Sequence, residues 1–319
     1  MKKKTALLLG LFMLASVLTS CEQQDTTDEP DALKIVTTIF PEYDWVREIL
    51  GDRIDLAEVT MLLDNGVDLH SYQPVADDII KLSDCDLFIY VGGESSSWVE
   101  DALQNATNKD MKVINCLEVL GDSVKTEETV EGMQDSLPNK TEADEHVWLS
   151  LKNAEVLVNA ISQSLQELDP DNKEIYAANS EAYVKKLSNL NDEYQNAVDH
   201  ASHKTLLFGD RFPFRYLVDD YGLRYYAAFA GCSAETEASF ETISFLAKKM
   251  DELDLPCILT IEGTQHKIAE TILENTAEKN QTVLTMDSMQ SITAKDAANG
   301  TTYFLVMEKN LSILKEALK

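Results

Sequence analysis

Along the chain, short apolar runs rich in β-branched residues alternate with stretches whose apolar positions recur every three to four residues. In the first half, "LKIVTTIF", "IDLAEVTML", "DLFIYVGG" and "MKVINC" read as strands. Between them "PEYDWVREILG", which has Pro41 at its start and Gly51 at its end, "PVADDIIKLSDC" and "SSWVEDALQNA" read as helices. "HVWLSLKNAEVLVNAISQSLQEL" opens a helical middle, and residues 170–202 continue it as one long amphipathic helix with Ile175, Tyr183, Leu187, Leu190 and Tyr194 on its apolar face. Alternation then resumes through the strands "KTLLFG", "RYYAAFAG", "PCILTIEG" and "QTVLTMD" and closes on the helix "TTYFLVMEKNLSILKEALK". This pattern predicts an α/β protein of two (βα)-type lobes, each with a mainly parallel sheet, joined by one long linking helix. The lobes are expected at 33–150 and 203–319, with the helices at 151–202. Open α/β lobes present ligand groups at the carboxyl ends of their strands, so two facing lobes offer a cleft.

Two segments fall outside the alternation. Residues 121–145 carry eight carboxylates against two lysines and little apolar periodicity, and read as a mobile surface loop. At the start, Lys2, Lys3 and Lys4 precede an apolar run and small residues, the arrangement of an export signal over residues 1–20. It is too short and wrongly flanked for a membrane-spanning helix. "LTSC" resembles the lipobox of bacterial lipoproteins, which implies lipidation of Cys21 and a location outside the cytoplasm, anchored to the cell membrane. The polar, acidic residues up to 32 are expected to form a flexible tether.

Charge narrows the partners. A formal net charge of −29 repels nucleic acid and concentrates cations near the surface. Besides Cys21 there are Cys85, Cys116, Cys232 and Cys257. None forms a C-x-x-C pair, so a zinc ribbon or thioredoxin-type motif is unsupported. Cys85 and Cys116 flank neighbouring predicted strands, where a disulfide and two buried thiols are equally open.

The five histidines divide into two groups. His200 and His203 end the long helix, where cationic or capping groups suit the helix dipole, and His266 opens a helix at the surface. His70 in "GVDLHSYQP" and His146 in "EADEHVWLS" instead follow acidic residues at element edges. Imidazole is the usual protein ligand for zinc and related divalent metals, and these two can serve one site if the fold places them on the same rim.

From residue 34 onward the chain resembles the metal-binding receptors of bacterial zinc and manganese ABC importers. "DLHSYQP" is similar to that family's first ligand stretch and "DEHVWLS" to its second. The resemblance implies His70 and His146 as metal ligands, the two-lobed fold with its linking helix, and delivery to an ABC permease. The family's third ligand, a His or Glu, precedes an aromatic helix ending in Y-G-L. Here an ungapped comparison puts Arg211 in that slot, with Asp210 beside it. Arginine has no lone pair to give a metal, so Asp210 becomes the candidate. The fourth ligand falls on Asp287 in "VLTMDSMQSI", and Glu262, Arg211 and Glu235 are implied as orienting neighbours; Glu237 shares the last one's loop. Two imidazoles and two carboxylates admit zinc, the preferred cargo, or manganese.

A monomeric, non-enzymatic receptor is therefore expected. Two other readings stay open: an adhesion or structural lipoprotein with a degenerate metal site, and an exported metal-dependent hydrolase. The second lacks H-E-x-x-H, G-x-S-x-G and any Gly-rich phosphate loop, and twelve glycines leave little room for one.

Overall fold

β1 (Leu33–Thr37) begins the first sheet, which continues through α1 (Phe40–Leu50), β2 (Ala57–Met61), α2 (Ala76–Ser83), β3 (Leu87–Tyr90), α3 (Val99–Gln104), β4 (Lys112–Asn115) and the short α4 (Cys116–Leu120). A computed structural model describes residues 32–134, 142–231, 237–263 and 266–319. All pairings in this sheet are parallel and the strand order is β2-β1-β3-β4, with Ile35 level with Val59 on one side and Leu87 on the other. Parallel strands covered by helices on both faces need continuous apolar runs, and Ile35, Val36, Leu87, Phe88 and Ile89 supply them, all buried.

Two helices follow, α5 (Leu151–Leu168) and α6 (Lys173–Asp199). Ser150 caps α5 by accepting from the Asn153 amide. A second sheet is then built from β5 (Thr205–Phe212), α7 (Arg215–Tyr221), β6 (Arg224–Ala230), α8 (Phe240–Leu253), β7 (Cys257–Ile261), α9 (Lys267–Glu274) and β8 (Thr282–Met286). The chain ends in α10 (Ala294–Ala298) and α11 (Tyr303–Ala317). This sheet is also wholly parallel, in the order β6-β5-β7-β8. The expected α/β architecture, two parallel-sheet lobes and one long helix, is present. Each order reverses direction between its first and third strands, and loops leaving those strands at the carboxyl end frame a crevice.

The long helix runs close to its predicted span and packs against α1, α5, α7 and α11. Tyr183, Leu187, Leu190 and Tyr194 are buried as expected, but Tyr176 rather than Ile175 completes the face. The Tyr194 hydroxyl donates to the Met307 carbonyl at 2.7 Å, and Asn179 donates to the Ile49 carbonyl. β5 extends beyond its expected end, with a register shift between Phe208 and Arg211. Two short helices, α4 and α10, were too brief to show a period.

The acidic segment is more ordered at its ends than its composition suggests. Thr126 and Ala143 form an antiparallel bridge, the Asp144 amide donates to the Lys125 carbonyl, and the Lys125 amide donates to the Tyr216 hydroxyl. Residues 135–141 of it lie outside the described residues, as do the signal, Cys21 and most of the tether. No helix among the described residues is long and apolar enough to cross a membrane. The Cys85–Cys116 disulfide does not form: both thiols are free and buried, as is Cys257, and the Cys116 thiol donates to Glu42. Cys232 lies outside the described residues.

Asp44 on α1 accepts from the Tyr303 amide at the start of α11, joining elements far apart in sequence. Burial raises its pKa from 3.8 to about 7. A carboxyl raised in the folded state favours folding below its unfolded value, and that contribution is lost as pH climbs towards 7. Asp44→Asn keeps an acceptor without the charge. Its melting temperature should therefore fall less than wild type between pH 4 and pH 8, by a stability difference on the order of 3 kcal/mol. Equal pH slopes in the two proteins would show that Asp44 stays ionised.

Candidate metal centre

His70 sits in a single 3-10 turn, Leu69–Ser71, in the connection from β2 to α2. Asp68 caps that turn, its Oδ1 accepting from the His70 amide at 2.9 Å. His146, itself the N-cap of the 3-10 turn Val147–Leu149, has an Asp at the same spacing: Asp144 Oδ1 accepts from the His146 amide at 2.9 Å. Asp144 also holds the ring, with Nδ1 2.8 Å from the same oxygen. An Asp two residues before each histidine thus shapes both turns. That D-x-H repeat was visible in the sequence as acidity alone; the hydrogen bonds from each Asp to its histidine amide were not.

The two turns bring the rings together. His70 Nε2 and His146 Nε2 lie 3.2 Å apart, with ring centroids 5.1 Å apart. His146 is fully buried, and backbone presses on it: a Cβ added to Gly231, just after β6, would stand 3.0 Å from its Cε1. His70 Nδ1 meets the Ser95 hydroxyl at 2.9 Å and Glu145 Oε2 at 3.6 Å.

The electrostatics of the pair are unequal. Burial lowers the His70 pKa to about 4, helped by the neighbouring His146 and Arg211 and opposed by Asp68. Burial also works against charge on His146, but Asp144, through its charge and its hydrogen bond, carries that pKa above the ordinary value. One proton suffices for the Nε2–Nε2 contact, and the unequal shifts make His146 the more basic ring of the pair. A metal entering here must displace that proton.

The other expected site residues occupy the second lobe. Asp210, on β5, accepts from the Arg211 amide at 2.8 Å and from the Ile261 amide at 3.4 Å; burial raises its pKa. Arg211 reaches across to Asp68, Nη2 to Oδ2 at 3.0 Å, so the residue in the family's ligand slot braces the His70 turn. Glu262, just after β7, accepts from the Ser288 amide and hydroxyl, both at 2.7 Å, and from the Gln290 amide. Asp287, just after β8, accepts from the Met289 amide, and burial, with the nearby Glu262 charge, raises its pKa to about 6. Among the described residues no three His, Cys, Asp or Glu side chains meet closely enough to hold a metal ion. The structure brings His70 and His146 together and leaves Asp210 and Asp287 on backbone amides.

Of the remaining candidates, Glu235 lies outside the described residues and Glu237 is exposed. His200 Nδ1 meets the Asn196 carbonyl at the exposed end of α6, as a capping role requires. His266 departs from its expected surface position: it is half-buried, with an Nδ1 that has no hydrogen-bond partner. Asp68, Asp144, Ser95 and Glu145 were not foreseen, because only the folded turns place them on the imidazoles.

This centre, at the strand ends of a two-lobed fold, can be set against known proteins. The profile described as zinc-uptake complex component A, periplasmic, matches residues 35–317. The chain belongs to that family. Among zinc-uptake component A relatives, the zinc-binding lipoprotein AdcA of Streptococcus pneumoniae is 32% identical over 98% of this chain, which spans 61% of that protein. The high-affinity zinc uptake system protein ZnuA of Bacillus subtilis is 28% identical, with 97% of each chain covered. The solved Zn(II)-bound ZnuA-like domain of Streptococcus pneumoniae AdcA matches with a TM-score of 0.71 at 30% identity, covering 90% of this chain and 99% of the domain.

The proton assignment within this family member's pair is testable by NMR titration of the imidazole Cε1 protons. His70 should titrate near 4 and His146 above 6.5. In Asp144→Asn the anionic partner is gone, so the His146 value should drop by roughly one unit or more. A His146 value unmoved by that change would place its proton elsewhere.

Proposed function

We propose that this protein is an extracytoplasmic receptor that captures a divalent transition metal, zinc in preference to manganese, and hands it to an ABC permease. The observation that carries the reading is the 3.2 Å approach of His70 Nε2 to the Nε2 of the fully buried His146. Two neutral imidazoles make a borderline-soft nitrogen pair suited to zinc. Membership of the zinc-uptake component A family and the zinc-binding names of its relatives support the same cargo.

In this reading His70 and His146 are the first-lobe donors and Asp210 and Asp287 the second-lobe donors. A carboxylate offers about four lone-pair sites, so each can keep its amide partner and still ligate. Since the four do not converge in this structure, coordination by all of them requires the second lobe to close further on the pair. Glu262 holds the Ser288 turn beside Asp287, and Arg211 holds the His70 turn through Asp68. The protein works as a monomer, without covalent chemistry, tethered to the membrane through Cys21. The reading with a degenerate site draws on one observation, the Arg211–Asp68 ion pair standing where the family has a third ligand.

Zinc titration followed by thermal shift separates the two. With zinc at a hundred times its Kd, a functional site gains about 2.7 kcal/mol of stability. His70→Ala and His146→Ala should each lose that gain while keeping the fold. Affinity should also rise with pH, by about tenfold per pH unit below the His146 pKa, because one proton leaves as metal enters. A wild-type protein that gains nothing from zinc would establish the degenerate site.

A further inference from the structure

Of the histidines outside the proposed centre, His200 and His203 precede β5, at the amino end of the second sheet. His266 follows β7, at the carboxyl end, where Glu262 and Asp287 also stand.

Packing sets His266 beside Asp210. A Cβ added to Gly209 would stand 2.6 Å from the Ala269 Cα, so glycine lets α9 lie against β5 at this level. The Glu270 amide donates to the His266 carbonyl at 2.9 Å, which makes His266 part of the first turn of α9. His266 is one turn before Ala269 on the same side of that helix, and Asp210 is one residue beyond Gly209 on the strand. A crossover helix runs against its strands, so both steps lead to the same end of the sheet. There Asp210 reaches across to the Ile261 amide at the end of β7, the strand whose connection carries His266. Burial raises the Asp210 pKa, and the His266 charge is among those that oppose the rise, as this proximity requires.

The ring has no evident structural task. His266 occupies the N-cap of α9 but makes no side-chain cap hydrogen bond. Its Nδ1 is buried without a hydrogen-bond partner. A buried nitrogen left unmet costs on the order of 1–3 kcal/mol. Meanwhile the second lobe otherwise offers the centre only oxygen donors, Asp210 and Asp287, since Arg211 has no lone pair to give.

We propose that His266 is a zinc ligand, carried by the start of α9, and that closure of the lobes brings it as a third imidazole to His70 and His146. One second-lobe carboxylate then completes a four-coordinate site. The proposal rests on the receptor reading and adds a residue to it. Three nitrogens and one oxygen favour zinc over manganese more strongly than two of each, so His266 also sets the preference between the two metals.

NMR of protein labelled with 15N at its histidines, titrated with zinc, reads ligation directly. Coordination moves the ring nitrogens of a histidine, and those of His70, His146 and His266 should all move together, complete at one zinc per chain, with His200 as the unmoved control. His266→Asn keeps a residue suited to an N-cap and removes the imidazole. Zinc affinity, measured by competition with a chelator, should fall roughly tenfold or more, with a smaller loss for Mn2+ and an unchanged melting temperature without metal. Movement of His70 and His146 with His266 unmoved would overturn the proposal and leave the receptor reading standing. Zinc and Mn2+ affinities lowered equally would deny His266 its part in the preference. If no histidine responds to zinc, the receptor reading falls and this ligand with it. The wild-type titration decides the ligand even if the variant does not fold.

Discussion

Trp148 is the pin on which the two lobes and the metal centre depend. Its indole N–H, buried with the rest of the ring, donates to the Ser288 carbonyl at 2.8 Å, and its own carbonyl accepts from the Tyr303 hydroxyl at 2.7 Å. A buried N–H must find an acceptor or cost a lost hydrogen bond, so the first lobe's last turn cannot drift from the loop after β8 without penalty. Ser288 is in turn held by Glu262, and Tyr303 packs edge-on against Trp45 with ring centroids 5.2 Å apart. His146 lies two residues before Trp148, their rings 5.3 Å apart. Packing between the lobes thereby sets the position of a proposed ligand.

At the centre, like-charge repulsion between two imidazoles is relieved by unequal surroundings. Asp144 orients the His146 ring and favours its protonated form, while burial, His146 and Arg211 disfavour charge on His70. Arg211 brings a fixed positive charge into a cleft proposed to receive another. Its pairing with Asp68 spends that charge on the capping residue of the His70 turn, which makes the departure from the family's ligand pattern structural as well as chemical.

Much of this was legible from periodicity. Apolar runs such as those around Phe88 and Ile258 announce strands buried on both faces, and the spacing of Tyr183, Leu187, Leu190 and Tyr194 announces the long helix. Tyr176 was missed in favour of Ile175 because a helical period leaves neighbouring residues nearly equivalent; its hydroxyl's bond to Asp169 favours the tyrosine. The short α10 and α4 carry too few residues to show a period. Cys85 and Cys116 follow the same logic: adjacent strands make a disulfide conceivable, yet only packing shows Cys116 against Glu42 rather than its neighbour.

By itself, the sequence determined the two α/β lobes, the linking helix, the acidic character and the pair of histidines after acidic residues, since all of these are properties of local pattern and composition. Tertiary structure alone decided which groups meet. It placed His70 against His146 across 76 positions, set Arg211 on Asp68, left Asp210 and Asp287 on backbone amides, and brought Glu145 to His70. Side-chain convergence depends on strand order, on lobe packing and on which buried polar atoms find partners, and a linear pattern encodes these only through the whole fold.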